Sequence, residues 1–495
     1  MNSPEVKKVV IAGGGTAGWM TAAALSKILG KGLEIELVES DEIGTVGVGE
    51  ATIPTLLFYN NMLGVSEKDF LNATHGTFKL GIQFEGWRDV GKDYLHAFGS
   101  TGKNFWAAAF HNFWLKGKTL GIDNGFGDYC LERRAAEAGK FAHLPNNGLN
   151  YAYHLDATAY GQFLRKFSEN LGVKRIEGKI SSVKTSPVTG FIESLNLESG
   201  EIVEGDLFID CTGFRGLLIE QTLHSGYEDW SHWLPCDRAM PAQTHSTGPP
   251  EPYTRSVAHG AGWRWRIPLQ HRVGNGLVYC SRYMDDDEAK SLLLESIDGE
   301  PITEPRVIRF QTGRRRKQWN KNCIAVGLSS GFLEPLESTS IHLIQQSVLR
   351  LIKMFPRGGV KKVDVDEFNK QTLASFEGVR DFIVLHYHAT ERDDSDFWRH
   401  CRNMEIPDSL DQRLTLFRET GRIFLGDAEL FVDSWPQVMI GQGVMPDEYH
   451  AVVDTMDEEE LKSFLRQIKS NIDRTVDKMP RHSDYLEKLC QAGPR

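Results

Sequence analysis

Several features are scarce in this chain of 495 residues, and each scarcity excludes something. Cysteine is sparse and odd in number at 7, with no C-x-x-C spacing, so neither a disulfide framework nor a zinc site is indicated. No metal ligand set is expected. No apolar run approaches the roughly 20 residues that a membrane helix needs. Basic excess is missing too: Lys plus Arg is 56 against 67 for Asp plus Glu, a net charge of −11. That balance speaks against nucleic-acid and anionic-membrane partners. Met1 to Lys8 is polar and runs straight into a strand pattern, so no signal peptide is expected and the chain reads as cytoplasmic. What remains is a globular composition, 40% hydrophobic and 25% charged. At about 150 residues per domain the length suggests about three domain-sized units, or one multi-lobed protein. Two counts are high, Gly 48 and Trp 11. They suggest tight backbone approaches and aromatic surfaces for a planar ligand.

The first fifty residues carry an ordered set of signals. Val9 to Ala12 is a β-branched apolar run that reads as a buried parallel strand. Gly13-Gly14-Gly15-Thr16-Ala17-Gly18 follows and matches G-x-G-x-x-G, then Trp19 to Leu29 reads as a helix. A second strand, Glu34 to Val38, ends at the acid Glu39. In such a unit Gly13 makes the turn, Gly15 lets the backbone approach a pyrophosphate and Gly18 lets helix pack on strand. The amides of Thr16 and Ala17 sit where the helix dipole favours a phosphate. Glu39 can accept bonds from ribose hydroxyls, with Ser40 and Ile43 flanking an adenosine. Strand, glycines, helix, strand and acid in this order are far stronger than the glycines alone.

Both NAD and FAD are compatible with that unit. Its place at the start of a long chain favours FAD. So does Asp206 to Gly213, an apolar strand ending in Asp-x-x-Gly, which in glutathione-reductase-like flavoproteins returns the chain to the FAD domain. Lys174 to Glu177 and Ser181 to Lys184 read as strands before it, with Val183 near an adenine. The nucleotide module is therefore expected to be discontinuous. A second glycine-rich loop, Gly47-Val48-Gly49-Glu50-Ala51, could run beside an isoalloxazine with Ala51 touching it.

Two further segments narrow the class. Gly262-Trp263-Arg264-Trp265-Arg266-Ile267-Pro268 contains W-x-W-x-I-P. Ala325 to Ser340 includes Gly327, Leu328, Gly331, Pro335-Leu336-Glu337-Ser338-Thr339-Ser340 and precedes an apolar helix, Ile341 to Ile352. Together with G-x-G-x-x-G these resemble the flavin-dependent halogenases of the tryptophan-halogenase type, over residues 9 to about 450. Single-component aromatic hydroxylases carry an acid where this chain has Leu328, and Gly-x-Gly where it has Ser338 and Ser340. Amides at Thr339 and Ser340 open a helix and make an anion site. Leu328 and Ile341 would be flavin neighbours.

The resemblance implies the chemistry. Reduced FAD (FADH2), O2 and chloride or bromide yield hypohalous acid. Thr339 and Ser340 then correspond to the halide site. Lys79, in Phe78-Lys79-Leu80-Gly81, stands where the family has a catalytic lysine, and Glu337 matches its glutamate. Lys79 could hydrogen-bond hypohalous acid or form a haloamine, and Ser338 could support it. Glu337 could polarise the halogenating agent or take the proton from the arenium intermediate. Trp263 and Trp265 are expected to exclude water and block direct oxygen transfer. Read alone, Lys79 could be an exposed lysine and the tryptophans mere core.

The expected fold class is α/β: a glutathione-reductase-like, Rossmann-type FAD module, an interleaved mixed β-sheet substrate lobe and a mostly helical C-terminal region. The FAD module is placed at 1–100, 170–225 and 320–355, and the substrate lobe at 100–170, 225–320 and 355–495. No second G-x-G-x-x-G unit is found, so a separate flavin reductase is the expected partner, and a homodimer is allowed. Arg314 to Lys317 reads as a solvated charged face, and His386 and His388 as packing and hydrogen-bonding groups. The amino-acid anchors of true tryptophan halogenases are not found after residue 400. A neutral aromatic of indole type suits that departure better than free tryptophan. The alternatives are an FAD-dependent aromatic hydroxylase, and a non-catalytic flavin carrier.

Overall fold

A computed structural model describes residues 5–30, 32–44, 50–105, 107–145, 148–424 and 430–491. The chain forms two compact units, each discontinuous. The first is Met1–Gly76, Leu155–His232 and Phe310–Glu377, and the second Thr77–His154, Trp233–Arg309 and Gly378–Arg495.

The first unit is built on a six-stranded sheet. Strand β1 (Lys8–Ala12) lies between β2 (Glu34–Glu39) and the strand Leu207–Asp210, parallel to both. Lys174–Glu177 extends the sheet beyond β2, and Cys323–Ala325 beyond Leu207–Asp210, both parallel. Val9 to Ala12 is fully buried, as a strand covered on both faces requires. Helix α1 (Thr16–Leu29) buries Ala22, Ala23, Ala24 and Leu25, small enough to lie close. A separate antiparallel sheet of Ile180–Thr185, Ile192–Leu197 and Ile202–Glu204 contributes Leu195 and Leu197 to a core with Val10, Val38 and Phe208.

The arginine run does not form a solvated face. Arg314 and Arg315 are buried in the strand Gly313–Arg315; Arg314 pairs with Glu228 at 2.6 Å and Arg315 with Glu220 at 2.9 Å. Each also stacks on an aromatic ring, Trp230 and Tyr227. Only Arg316 and Lys317 of the run are exposed.

The second unit centres on a seven-stranded mixed sheet. Its order is Ile308–Arg309, Arg238–His245, Arg272–Tyr279, Gly262–Pro268, Thr254–His259, Gly81–Asp89 and Lys92–Ala97. Pairing is antiparallel except between Thr254–His259 and Gly81–Asp89. Residues 77–100 therefore belong here rather than with the nucleotide module, because two of their strands are ladder partners in this sheet. Residues 155–170, expected in the other lobe, form the helix Ala157–Asn170 of the first unit. Helices Asp396–Asn403, Asp408–Thr420, Ser434–Gly441, Glu458–Asp477 and His482–Gln491 make up the C-terminal region. His386 Nδ1 donates to the Phe382 carbonyl at 2.8 Å within the helix Lys362–His388. Trp19, Trp87, Trp230, Trp263, Trp319, Trp398 and Trp435 are fully buried, so most tryptophans are core rather than ligand surface. Among the described residues no helix is long and apolar enough to cross a membrane.

Candidate functional site

The glycine turn behaves as its spacing demands. Gly13 has φ +105°, and a Cβ there would lie 2.4 Å from the Cys211 carbonyl oxygen. A Cβ on Gly18 would lie 1.9 Å from the Gly13 oxygen, so only glycine lets α1 sit this close to the turn. Gly15 differs: a Cβ there would meet nothing within 4 Å. Gly15 also begins α1 with no side-chain cap, and Thr16, Ala17 and the rest of the first turn carry no acid. Open space over uncapped amides fits the diphosphate of FAD. Glu39 folds back over Gly14, whose Cβ would lie 1.5 Å from its Oε2. Its carboxylate accepts from Arg175 Nε at 2.5 Å and Trp19 Nε1 at 3.3 Å. Arg175 could not be foreseen from the sequence, since nothing local marks its strand as the neighbour of β2. Ser40 Oγ accepts from the Glu42 amide at 3.3 Å, and Ile43 is 54% exposed on the same turn. Val183 is half-buried against the core that holds Val10 and Val38. Ala51 is buried, while the loop 45–49 before it lies outside the described residues.

The segment 326–341 comes to the same turn. Gly327 has φ +76°, and its Cβ would lie 2.7 Å from the Ala17 Cβ. The structure thus seats this loop on the first turn of α1. The half-buried Leu328 follows in the turn Gly327–Ser329. Asp210 anchors the arrangement: its carboxylate accepts from the Thr212, Leu218 and Ile219 amides and the Thr212 hydroxyl, at 2.7–2.9 Å. Its carbonyl accepts from the Val326 amide (2.9 Å) and the Ser329 hydroxyl. Glu337 is fully buried at the end of the turn Pro335–Glu337. Ser338 (φ +58°) and Thr339 lead into the helix Ser340–Lys353, which has no side-chain cap and no acid in its first turn. Ile341 is buried there. His342 is held by burial at a pKa of about 4 and shares a 2.9 Å hydrogen bond with the Thr55 hydroxyl.

The second unit holds the remaining candidates. Lys79 is 0% exposed, which removes the reading of an ordinary surface lysine. Its Nζ lies 5.0 Å from the centre of the Phe98 ring. Trp263 and Trp265 share one face of their strand, both buried, with ring centres 6.1 Å apart. Gly276, opposite Trp265 on the next strand, makes room for its indole: a Cβ would lie 2.0 Å from the ring. The Trp265 Nε1 is buried without a hydrogen-bond partner among the described residues. The same unit contains a cavity of about 330 Å³ lined by Phe110, Phe126, Phe424, Thr101, Arg422 and Asp433 among others. The Thr101 hydroxyl is likewise buried without a partner. The candidates therefore divide, with Gly13 to Ala51, Val183 and Leu328 to Ile341 in one unit and Lys79, Trp263 and Trp265 in the other.

The chain is similar along nearly its whole length to known proteins. A solved flavin-dependent halogenase from Xanthomonas campestris, Xcc4156, superposes with a TM-score of 0.97 at 55% identity, covering 98% of this chain and 99% of that one. BrvH, a flavin-dependent halogenase from Brevundimonas sp. BAL3, gives 0.94 at 44% identity over 98% and 100%. Tryptophan 6-halogenase SttH of Streptomyces toxytricini is 33% identical over 99% of this chain and 100% of its own length. The family model described as tryptophan halogenase matches residues 8–458. With that match added to the glycine turn, the tryptophan strand and the buried lysine, the chain belongs to the tryptophan halogenase family of flavin-dependent enzymes.

Proposed function

We propose that this enzyme halogenates an aromatic, indole-type compound, using FADH2, O2 and chloride or bromide. Lys79 and Glu337 are its working side chains. The observation that carries this reading is a fully buried lysine in the same unit as the W-x-W-x-I-P strand. Reduced FAD, when bound, would supply two electrons and two protons that, with one further proton, convert O2 and halide to hypohalous acid and water. Gly13, Gly15 and Gly18, the amides of Thr16 and Ala17, and Glu39 would hold it, with Ser40, Ile43 and Val183 at the adenosine. Ala51, Leu328 and Ile341 would border the isoalloxazine, and the amides of Thr339 and Ser340 would hold the halide.

Lys79 takes up the oxidised halogen, either as an ammonium that donates a hydrogen bond to hypohalous acid or as a neutral amine that breaks its O–halogen bond, releasing water and leaving a haloamine, and presents it to the ring. Glu337 receives the proton that the arenium carbon releases. Trp263 and Trp265 keep water and oxygen transfer away from the ring. The cavity at Phe110, Phe126 and Thr101 suits a planar aromatic with one polar edge. SttH is named for tryptophan, an indole, which supports that class. A separate reductase would supply FADH2. The second reading, aromatic hydroxylation, is disfavoured by Leu328 in place of an acid.

The test is incubation with FAD, a flavin reductase, NADH, halide and a panel of indoles, read by mass spectrometry. Halogenated product is expected, and oxygen gain without halogen refutes the reading. Lys79→Ala should lower halogenation about 100-fold or more while flavin oxidation continues. Retained halogenation would remove Lys79 from the mechanism.

A further inference from the structure

The strand that carries Lys79 is only three residues long, Thr77–Lys79, yet it is gripped from several sides. Thr77 pairs with His154 and Lys79 with Ala152. The Phe78 amide donates to His482 Nε2 at 3.2 Å, and the Leu80 amide to the Pro252 carbonyl at 2.7 Å. Side chains add a continuous chain of bonds. The Thr77 hydroxyl lies 2.8 Å from the Pro268 carbonyl and 2.9 Å from His154 Nδ1. His154 Nε2 lies 2.9 Å from the Thr254 hydroxyl. Thr77 and His154 are fully buried. Pro268 ends the W-x-W-x-I-P strand, so the chain ties that strand to the lysine strand.

Donor arithmetic orients every proton in it. The Pro268 carbonyl can only accept, so the single Thr77 proton goes there. The Thr77 oxygen must then accept from His154, which places a proton on Nδ1. Burial, and after it the nearby Lys79 charge, hold the His154 pKa well below the ordinary range. The ring is therefore neutral, and its bare Nε2 accepts from Thr254. Thr77 shares a strand face with Lys79, and His154 is its register partner on that face.

We propose that the Pro268–Thr77–His154–Thr254 hydrogen-bond chain positions Lys79, making Thr77 and His154 positioning residues for halogen transfer. This rests on the role proposed above for Lys79. A lysine side chain has four rotatable bonds, and misplacing a reacting group by about 1 Å can cost about 100-fold. A strand anchored at the residues on both sides of the lysine limits that freedom at its base. A neutral ring beside it adds no repulsion to the ammonium.

Thr77→Val keeps the shape of the side chain and removes both of its bonds, whereas Thr77→Ser restores the hydroxyl. Two readouts are compared. One is the ¹³Cε resonance of Lys79, identified by its loss in Lys79→Ala, together with the ¹⁵N tautomer signals of His154. The other is halogenated product formed per FADH2 oxidised. The wild type should show His154 protonated at Nδ1. Thr77→Val should shift the Lys79 resonance and lower product per FADH2 by about tenfold or more, and Thr77→Ser should return both. An Nε2-protonated His154, or a Thr77→Val protein with wild-type resonance and yield, overturns the proposal. So does a Thr77→Ser protein that fails as Thr77→Val does. If Thr77→Val does not fold, His154→Asn replaces it, since it keeps a donor towards Thr77 and loses Thr254; the same shift and loss are expected. A wild type that makes no halogenated product would refute the functional reading, while the two resonances would still decide the positioning chain.

Discussion

His482 offers a quantitative test of the lysine strand's support. Its Nδ1 donates to the Pro250 carbonyl at 2.8 Å and its Nε2 accepts the Phe78 amide at 3.2 Å. Both nitrogens are committed, and a second proton would destroy the acceptor. Burial holds the pKa at about 4, against an ordinary 6.5. A base with a depressed folded pKa is protonated first in the unfolded chain. The stability it supports is intact above about pH 6.5 and falls as pH drops towards 4. From these two pKa values the loss by pH 5 is about 2 kcal/mol. His259 and His342 are held at about 4 for the same reason, so the three together approach about 6 kcal/mol at pH 5. That compares with a typical total of about 5–15 kcal/mol. The assay is urea unfolding at pH 7.5 and pH 5.0 for the wild type and His482→Gln, which keeps an acceptor near the Phe78 amide. The wild type should lose about 2 kcal/mol more than the variant between the two pH values. Equal losses would mean that His482 titrates alike folded and unfolded, and would refute the reasoning.

The other predictions concern close approaches. Gly13→Ala combines a positive φ with a 2.4 Å clash and should prevent stable folding. Gly15→Ala has an ordinary φ of −71° and open space, so the melting temperature should hold while FAD affinity, followed by flavin fluorescence, falls about tenfold. Gly276→Ala should cost about 1–3 kcal/mol by pushing on the Trp265 ring, and Trp265→Phe should recover part of that in a double-mutant cycle. Additive costs would show that the two do not touch. Trp263→Phe and Trp265→Phe should reduce halogenation without abolishing it, with FAD binding unchanged. Complete loss of turnover would mean that exclusion is too weak an account of these rings.

Tertiary partners explain where the sequence reading and the structure part. Arg314 and Arg315 look like a solvated run because a run of cations ordinarily faces water. Their partners Glu220 and Glu228 lie about ninety residues earlier, and no local pattern announces them. The same holds for the unit boundary near residue 77. The strand Gly81–Asp89 follows the nucleotide half closely in sequence, yet it pairs with Thr254–His259. Asp210 is legible as part of Asp-x-x-Gly, but the four bonds its carboxylate accepts depend on how Thr212 to Ile219 turn back over it.

The nucleotide half and the family are legible in local sequence alone. Strand, glycine turn, helix, strand and acid are contiguous, and each is set by local steric and hydrogen-bonding needs. Gly13, Gly15 and Gly18 could be assigned separate tasks on those grounds. The burial and anchoring of Lys79, by contrast, come from long-range packing. Its strand is three residues long and has no periodicity of its own. The groups that hold it, Pro268 and His482, lie 191 residues from Thr77 and 404 residues from Phe78. Contacts across such distances form only when the sheet and the C-terminal helix pack, and no pattern within one segment encodes them.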